Sequence, residues 1–532
     1  MLRGRRHFLF QGSLAATSLA LPLSSLLSSS ARARTYGDLV PDPAGILDLP
    51  EGFSYVVLEE RGDPMDDGYV VPGRPDGMAC FDGPDGNWVL MRNHEAGLFD
   101  VLNGAYGLGE APPQAYDANA FGGVTRVVID PRTMSRVSSN LVLTGTARNC
   151  AGGPSPWGWL SCEESVVDGH GYVFACPIDA TSVAEPDRIV GYGRFNHEAA
   201  AIDPDTLTCY LTEDRGDGCL YRFVPDDPGE PFVGTLQALR VVGQDTLDTS
   251  TGLMVGDMLE IEWVDINQPD PANDTVRDEA QASGAAIFSR GEGIWYHEGE
   301  IYFTCTNGGP VGLGQIFRLI EGGGASTLEL IAQSESADIL DFPDNITVAP
   351  WGQVFIAEDG SGDQFIRAID DEGNVISFAR NALSDSELAG VCFSPDGQAM
   401  FVNIQGDGLT LMVTGPFPEV PGGSDDTGGS DDSGGDETTG ADGTAGEGTG
   451  DGGTQGGSGD AGTDAAGSTG GGSTGEGGGA GQDGDGEGCG CTTGDDDSSL
   501  GGLVAVAGAL AVGQRARRPA SNDDSEPESG NR

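Results

Sequence analysis

The sequence predicts an all-β fold: a six-bladed β-propeller, followed by a disordered acidic Gly-rich linker and a short C-terminal tail. Three observations predict it. Residues 38–420 show few helical patterns and many short runs of alternating apolar residues, broken by Asp-Gly, Asp-Pro and Gly-Gly, which is the pattern of strands joined by tight turns. One hairpin pattern recurs six times at spacings of roughly 40–80 residues, as in a repeat architecture. Most of the excess among the 88 glycines falls in one late segment that has almost no large apolar residue. A β-sandwich is the other arrangement that such strands allow.

Residues 1–33 open with Gly4-Arg5-Arg6-His7-Phe8-Leu9-Phe10, continue as an apolar, Ser-rich stretch to Leu27 and end on Ala31-Arg32-Ala33. That is a twin-arginine signal with a small-x-small cleavage site, so a mature start at Arg34 is expected, with the protein periplasmic, at the cell surface or extracellular. The twin-arginine route carries folded proteins, which suits a chain that loads a metal before export.

Residues 34–420 hold the hairpins. They run from Gly77-Met78-Ala79-Cys80 to Arg92-Asn93-His94-Glu95, and from Trp157-Gly158-Trp159-Leu160 into Ser161-Cys162-Glu163-Glu164. The next two run from Ala199-Ala200-Ala201-Ile202 to Thr212-Glu213-Asp214, and from Gly293-Ile294-Trp295 to Cys305-Thr306-Asn307. The last two run from Ile346-Thr347-Val348 to Ala357-Glu358-Asp359, and from Gly390-Val391-Cys392 to Asn403-Ile404-Gln405.

Residues 421–488 are mostly Gly, Asp, Ser, Thr and Glu with almost no large apolar residue, a composition that buries no core and reads as a disordered, self-repelling linker. Residues 489–532 carry Cys489-Gly490-Cys491, an apolar run from Leu500 to Val512 and the cluster Arg515, Arg517 and Arg518. The run is shorter than the about 20 residues that a membrane span needs. The order of Cys pair, apolar stretch and Arg cluster resembles the C-terminal surface-sorting tails of myxobacteria, which implies anchoring at the cell surface.

The chain has 84 acidic residues against 26 basic ones, a net charge of −58, and every basic residue is Arg. The absence of Lys excludes a Walker phosphate loop, a Schiff-base lysine and a lysine general base. The charge excludes nucleic acid as a partner held by phosphate attraction. Residues 1–420 contain 62 of the acids and 22 of the arginines, so the globular part is acidic in its own right and suited to cations.

In an antiparallel hairpin the start of the first strand and the end of the second lie at one end. The second-strand ends carry Glu95, Glu164, Glu213 with Asp214, Asn307, Glu358 with Asp359, and Gln405. The first-strand starts carry Asp76, Cys150, His197 with Glu198, Glu292, Asp344 with Asn345, and Glu387. In a propeller these ends face one mouth of the central channel, so about a dozen carboxylates, some amides and one thiol converge there. Their mutual repulsion is relieved by multivalent cations: oxygen donors suit Ca²⁺, and a thiolate among them suits a softer ion such as iron. Each piece alone has a plainer reading. A Glu-Asp pair is a solvated turn, Cys150 a buried small residue, and Cys209 with Cys219 or Cys162 with Cys176 a disulfide.

Several segments together resemble the PhoX alkaline phosphatases. They are Arg92-Asn93-His94-Glu95, the run from Asn149-Cys150-Ala151-Gly152-Gly153-Pro154 to Gly158, Ser161-Cys162-Glu163-Glu164 and Gly193-Arg194-Phe195-Asn196-His197-Glu198-Ala199. Glu292-Gly293-Ile294-Trp295-Tyr296, Pro343-Asp344-Asn345, Ala357-Glu358-Asp359-Gly360 and the run from Glu387-Leu388-Ala389-Gly390 to Gly397 complete the set, which spans nearly all of 38–420. The resemblance is to a shorter branch of the family that lacks some long insertions. It implies a six-bladed propeller with ferric iron and calcium at the channel mouth, hydrolysing phosphate monoesters of small molecules outside the cytoplasm. It implies a thiolate ligand at Cys150 and carboxylate ligands at Glu164, Glu198, Asp214, Glu292, Glu358 and Glu387, with Glu95, Glu213, Asp344, Asn345 and Asp359 as further candidates.

An Arg is needed to bind the substrate anion in a chain without Lys. Arg215, directly after Glu213-Asp214, is the first choice, and Arg92 and Arg194 are the second. Two other functions fit the same architecture: a calcium-dependent lactonase-like hydrolase, which needs no thiolate, and a non-enzymatic, surface-displayed calcium-binding propeller.

Overall fold

The computed structural model describes residues 36–421 except Gly323. The segments expected to be a signal peptide, a linker and a C-terminal sorting tail lie outside the described residues, apart from Pro421. Within them the regular secondary structure is almost entirely strand, and a single short α-helix, Val276–Ala282, is described. The period-2 pattern works as the sequence predicts. In Thr327–Gln333 the residues Leu328, Leu330 and Ala332 are buried and their neighbours are not.

Hydrogen bonding groups the strands into five sheets. One is the meander Pro75–Asp82, Trp88–His94, Gly122–Asp130 and Ser135–Thr146. A second is Asn149–Ser155, Gly158–Glu163, Val173–Cys176 and Asp187–Ile189. A third, Leu388–Phe393, Ala399–Ile404 and Leu409–Thr414, takes its fourth strand, Ser54–Glu60, from the opposite end of the domain. A six-stranded sheet extends Pro343–Val348, Val354–Glu358, Phe365–Ile369 and Val375–Asn381 by Leu47–Pro50 and Leu39–Val40. The largest sheet has nine strands: Met258–Asp265, at the end of one meander, pairs with Thr327–Gln333 of the next. The expected six sheets are therefore five, because that extra strand joins two meanders edge to edge.

The arrangement is propeller-like. The first strands of the six hairpins pack each against the next in a closed cycle, from Pro75–Asp82 round to Leu388–Phe393 and back. Side-chain bonds tie neighbours together. Asn93 Nδ2 donates to the carbonyls of Cys150 and Ala151, at 3.2 and 2.6 Å. Thr304 Oγ1 donates to the carbonyl of Asp344 at 2.6 Å, and Asn403 Nδ2 to that of Asp76 at 2.7 Å, which links the last hairpin to the first. Apolar side chains fill the space between sheets. Where the closing sheet meets its neighbour, Trp351, Phe355, Phe378 and Phe393 are buried around Phe417, each contributing about 1.5–3 kcal/mol by leaving water.

Candidate metal centre

All six hairpins carry the same irregularity. Two residues of the first strand oppose one residue of the second, a β-bulge, at 76–77, 150–151, 198–199, 292–293, 344–345 and 390–391. A bulge interrupts the alternation of side chains and re-aims one of them. Its first residue is Asp76, Cys150, Glu198, Glu292 and Asp344 in five repeats and Gly390 in the sixth. The second residue is small at Gly77, Ala151, Ala199 and Gly293, and forms a narrow waist below the mouth. The closeness is strict: a Cβ on Gly77 would lie 2.5 Å from Ala151 Cα, and one on Gly293 would lie 2.6 Å from Ile346 N. Beyond the waist, an apolar cleft of about 370 Å³ contains Phe81, Pro156, Ile202 and Trp295.

A second ring comes from the residue that follows each second strand. The amides of Glu95, Glu164, Asp214, Thr306, Asp359 and Gln405 donate to the carbonyls of Arg74, Arg148, Asn196, Arg290, Phe342 and Glu387, the residues just ahead of each first strand. Arg74, Arg148, Arg290 and Phe342 have φ between 47° and 56°, a left-handed backbone that side-chain-bearing residues seldom adopt.

The two rings bring ligand atoms together in three sets, within each of which they lie within 4.8 Å of one another: Asp76, Glu95 and Cys150; Cys150, Glu164 and Glu198; and Glu198, Glu292 and Asp344. Cys150 and Glu198 are the shared corners. Of the residues expected from the sequence, Cys150, Glu164, Glu198, Glu292, Glu95 and Asp344 thus stand in one continuous cluster. Asp214 adjoins it, since Arg290 bonds both Asp214 Oδ1, at 2.9 Å, and Glu292 Oε1, at 2.8 Å. Asp359 shares a hydrogen bond with the half-buried Glu387 and lies in the field of Glu95 and Asp214.

The other expected residues sit elsewhere. Glu358 and Glu213 are the last residues of their strands, so alternation turns them away from the residues that follow. Glu358 Oε1 accepts from Arg367 Nε at 2.7 Å and from the Asp341 amide at 2.9 Å. Glu213 Oε2 accepts from Tyr221 Oη at 2.7 Å and from the Cys219 amide at 3.1 Å. Asn345 is spent on the fold, its Oδ1 accepting from the Gly390 amide of the next hairpin. Arg215 pairs with Asp274 at 3.1 Å. Arg92 is sealed against Glu59 at 2.7 Å, and Arg194 is bonded to the carbonyls of Val166 and Val167. The eight described cysteines are all free thiols, so the two disulfide readings do not hold.

The sequence reading passed over two arginines. Arg148 Nη2 bonds Glu95 Oε1 at 2.9 Å and also Glu164 Oε2. Arg290 does the same for Asp214 and Glu292. Asp76 was read as a strand start and left out of the ligand set, yet it shares a set with Cys150.

Electrostatics follow from burial and crowding. Burial pushes the Cys150 thiol well up, reinforced by Glu198, Glu95 and Glu164, and its Sγ lies 3.3 Å from Glu164 Oε2. Burial raises Glu164 to about 7 against the pull of Arg148, with Asp214 and Glu95 adding to the rise. Burial, then Glu292 and Asp344, push Glu198 well above the usual carboxylate range. Glu292 is raised by burial and Asp214, and Asp344 by burial and Asp359. Buried acids held this far up are a frustrated set, relieved by protons or by cations. The donors fit cations: many carboxylate oxygens around one sulfur, with Asp214 Oδ2 buried and without a hydrogen-bond partner among the described residues.

Comparisons with known proteins agree with this geometry. The model of the family described as alkaline phosphatase PhoX matches residues 34–408. The fold is similar to that of Pseudomonas fluorescens PhoX solved with vanadate, described there as a transition-state analogue. The TM-score is 0.55 at 19% identity, over 71% of this chain and 97% of that one. A structural-genomics protein of unknown function from Bacteroides thetaiotaomicron aligns at a TM-score of 0.39 and 11% identity, over 68% of this chain and 76% of that one. A gluconolactonase from Xanthomonas campestris aligns at 0.33 and 12%, over 72% and 99%. No sequence among the curated proteins matches. With the family model spanning the whole ring of hairpins and the bulges placing Cys150 among the carboxylates, the chain belongs to the alkaline phosphatase PhoX family.

Proposed function

We propose that the protein is an exported phosphatase that hydrolyses phosphate monoesters of small molecules at an iron- and calcium-containing centre in the mouth of a six-bladed propeller. The observation that carries this reading is the ring of bulges, which gathers Asp76, Cys150, Glu198, Glu292 and Asp344 from five successive hairpins into overlapping sets of ligand atoms. The six-blade count rests on the six bulged hairpins and their closed cycle, with the nine-stranded sheet taken as two blades joined by Met258–Asp265.

Asp76, Glu95, Cys150, Glu164 and Glu198 would hold the ions on one side, and Glu292, Asp344, Asp214 and Asp359 on the other. Glu387 contributes through its bond to Asp359. Bound there, the ions supply Lewis-acid charge to the phosphoryl oxygens and activate water as a nucleophile at neutral pH. The chain's own task is to position. The hairpin-to-hairpin bonds of Asn93, Thr304 and Asn403 fix the bulges. Gln405 Nε2 steadies Asp76 at 3.0 Å and Glu95 at 3.1 Å, and Asn196 Nδ2 steadies Glu164 at 3.0 Å. Arg148 and Arg290, rather than Arg215, lie where a phosphate dianion would meet a guanidinium.

The test is turnover of p-nitrophenyl phosphate by the purified full chain with added Ca²⁺, with metal content measured on the same sample by mass spectrometry. Iron and calcium together with phosphate release are expected. A fully metal-loaded protein that releases no phosphate would sink the reading. Export is tested separately by fractionating cells that carry Arg5→Lys with Arg6→Lys, which should retain the protein in the cytoplasm.

A further inference from the structure

We propose that Arg148 and Arg290 are resident counter-ions of this centre: they occupy its carboxylates until cations displace them, so that metal loading is an exchange of guanidinium for metal. The inference rests on the metal reading above and adds how the site is kept before loading.

Each arginine joins carboxylates of two successive hairpins. Arg148 holds Glu95 and Glu164, which belong to different ligand sets that share Cys150. Arg290 holds Asp214 and Glu292. Every one of these carboxylates is at most 5% exposed, so without a guanidinium or a metal each would be a buried charge with too little compensation.

Both arginines are aimed by a pinned backbone in the left-handed region, at φ 55° and 56°. The Arg148 amide donates to the Ala96 carbonyl at 3.0 Å and its carbonyl accepts from Glu164. The Arg290 amide donates to Arg215 at 2.8 Å and its carbonyl accepts from Thr306. The side chains, unlike the backbone, can leave. Arg148 is 36% exposed and Arg290 17%, whereas the arginines of the sheet-sealed pairs, Arg92 with Glu59 and Arg367 with Glu358, are 1% and 4% exposed. An incoming ion takes the carboxylate oxygens, and the guanidinium N–H groups pass to water or to a phosphate at the mouth. No covalent bond changes. Two guanidinium charges cannot balance Asp76, Glu95, Glu164, Glu198, Asp214, Glu292, Asp344 and Asp359, so the mouth keeps a pull on cations throughout.

The experiment titrates the chelator-treated full chain with Ca²⁺ alone in a calorimeter, for wild type, R148Q, R290Q and R148K. Removing a positive charge beside a divalent ion should tighten Ca²⁺ binding by about tenfold or more in each Gln variant. The same variants should melt lower than wild type in chelator, and R148K should bind Ca²⁺ within about threefold of wild type because it keeps the charge. Gln variants that bind Ca²⁺ as wild type does, or more weakly, would mark the arginines as mere supports of the carboxylates and overturn the exchange. A folded wild type that takes up no Ca²⁺ would instead overturn the metal reading itself.

Discussion

Removing metal should make the protein's stability depend on pH in a direction that most proteins do not show near neutrality. Glu164 is held at about 7 and Asp359 at about 6 in the folded chain, both chiefly by burial, whereas the ordinary values are 4.5 and 3.8. A folded-state pKa above the unfolded one means that the folded chain binds the extra proton. Stability is therefore full below about pH 4 and is lost as pH rises through about 6 to 7. Each pH unit of displacement is worth about 1.4 kcal/mol, so between about pH 5.5 and about pH 8 Glu164 costs about 2 kcal/mol and Asp359 about 0.8 kcal/mol. Glu213 and Glu358 are also held at about 7 by burial, but they lie away from the mouth and provide an internal control. Their combined loss of about 4 kcal/mol over the same range persists whether or not metal is bound. Saturating Ca²⁺ should remove the mouth's share, because cations and not protons then balance Glu164 and Asp359. Urea unfolding at the two pH values, with chelator and with Ca²⁺, should give a chelator-specific loss of about 3 kcal/mol, and Glu198, Glu292 and Asp344 act in the same direction. Equal pH dependence with chelator and with Ca²⁺ would refute the reasoning.

Four further outcomes follow from the geometry. Cys150→Ser should keep the fold but lose iron, which is read as the metal-to-protein ratio and the visible absorption of the purified variant. Asp359→Asn should lower the calcium bound per chain. Arg367→Met should leave calcium intact while costing about 3–5 kcal/mol in urea unfolding, because it strands the Glu358 carboxylate inside a sheet. Asn93→Ala should cost about 2–3 kcal/mol and slow turnover, since Asn93 bonds the Cys150 and Ala151 carbonyls and accepts from Trp159 Nε1 at 2.7 Å and Ser161 Oγ at 2.9 Å.

The hairpins were legible because turn residues and alternating apolar runs are local signals. The doublets Glu213-Asp214 and Glu358-Asp359 were harder, because composition does not say which member faces the axis. Only the register does: in each hairpin the residue at the mouth follows the last paired residue of the second strand, which selects Asp214 and Asp359 as it selects Glu164 over Glu163. The bulges were invisible as such, since one extra residue leaves no local mark, and they explain why Asp76 and Glu198 point inward. The two arginines did leave a signal. Arg74-Pro75-Asp76, Arg148-Asn149-Cys150 and Arg290-Gly291-Glu292 repeat an arginine two positions before the bulged residue. Arg215 was chosen for its nearness in sequence to an acidic pair, and Asp274, distant in sequence, holds it instead. The edge pairing of Met258–Asp265 with Thr327–Gln333 is a long-range contact that no local pattern announces.

The strand Ser54–Glu60, paired with Leu409–Thr414, sets the order of assembly. The final sheet draws on both extremities of the domain and is finished only once the last hairpin has been synthesised. Long-range closure of this kind is slow, because the entropy of a loop several hundred residues long is surrendered before its contacts form. A nascent or truncated chain therefore lacks the first-to-last bond from Asn403 to Asp76. Until the last hairpin is in place, the hairpins that carry Asp76 and Asp344 are each braced by a neighbour on one side only.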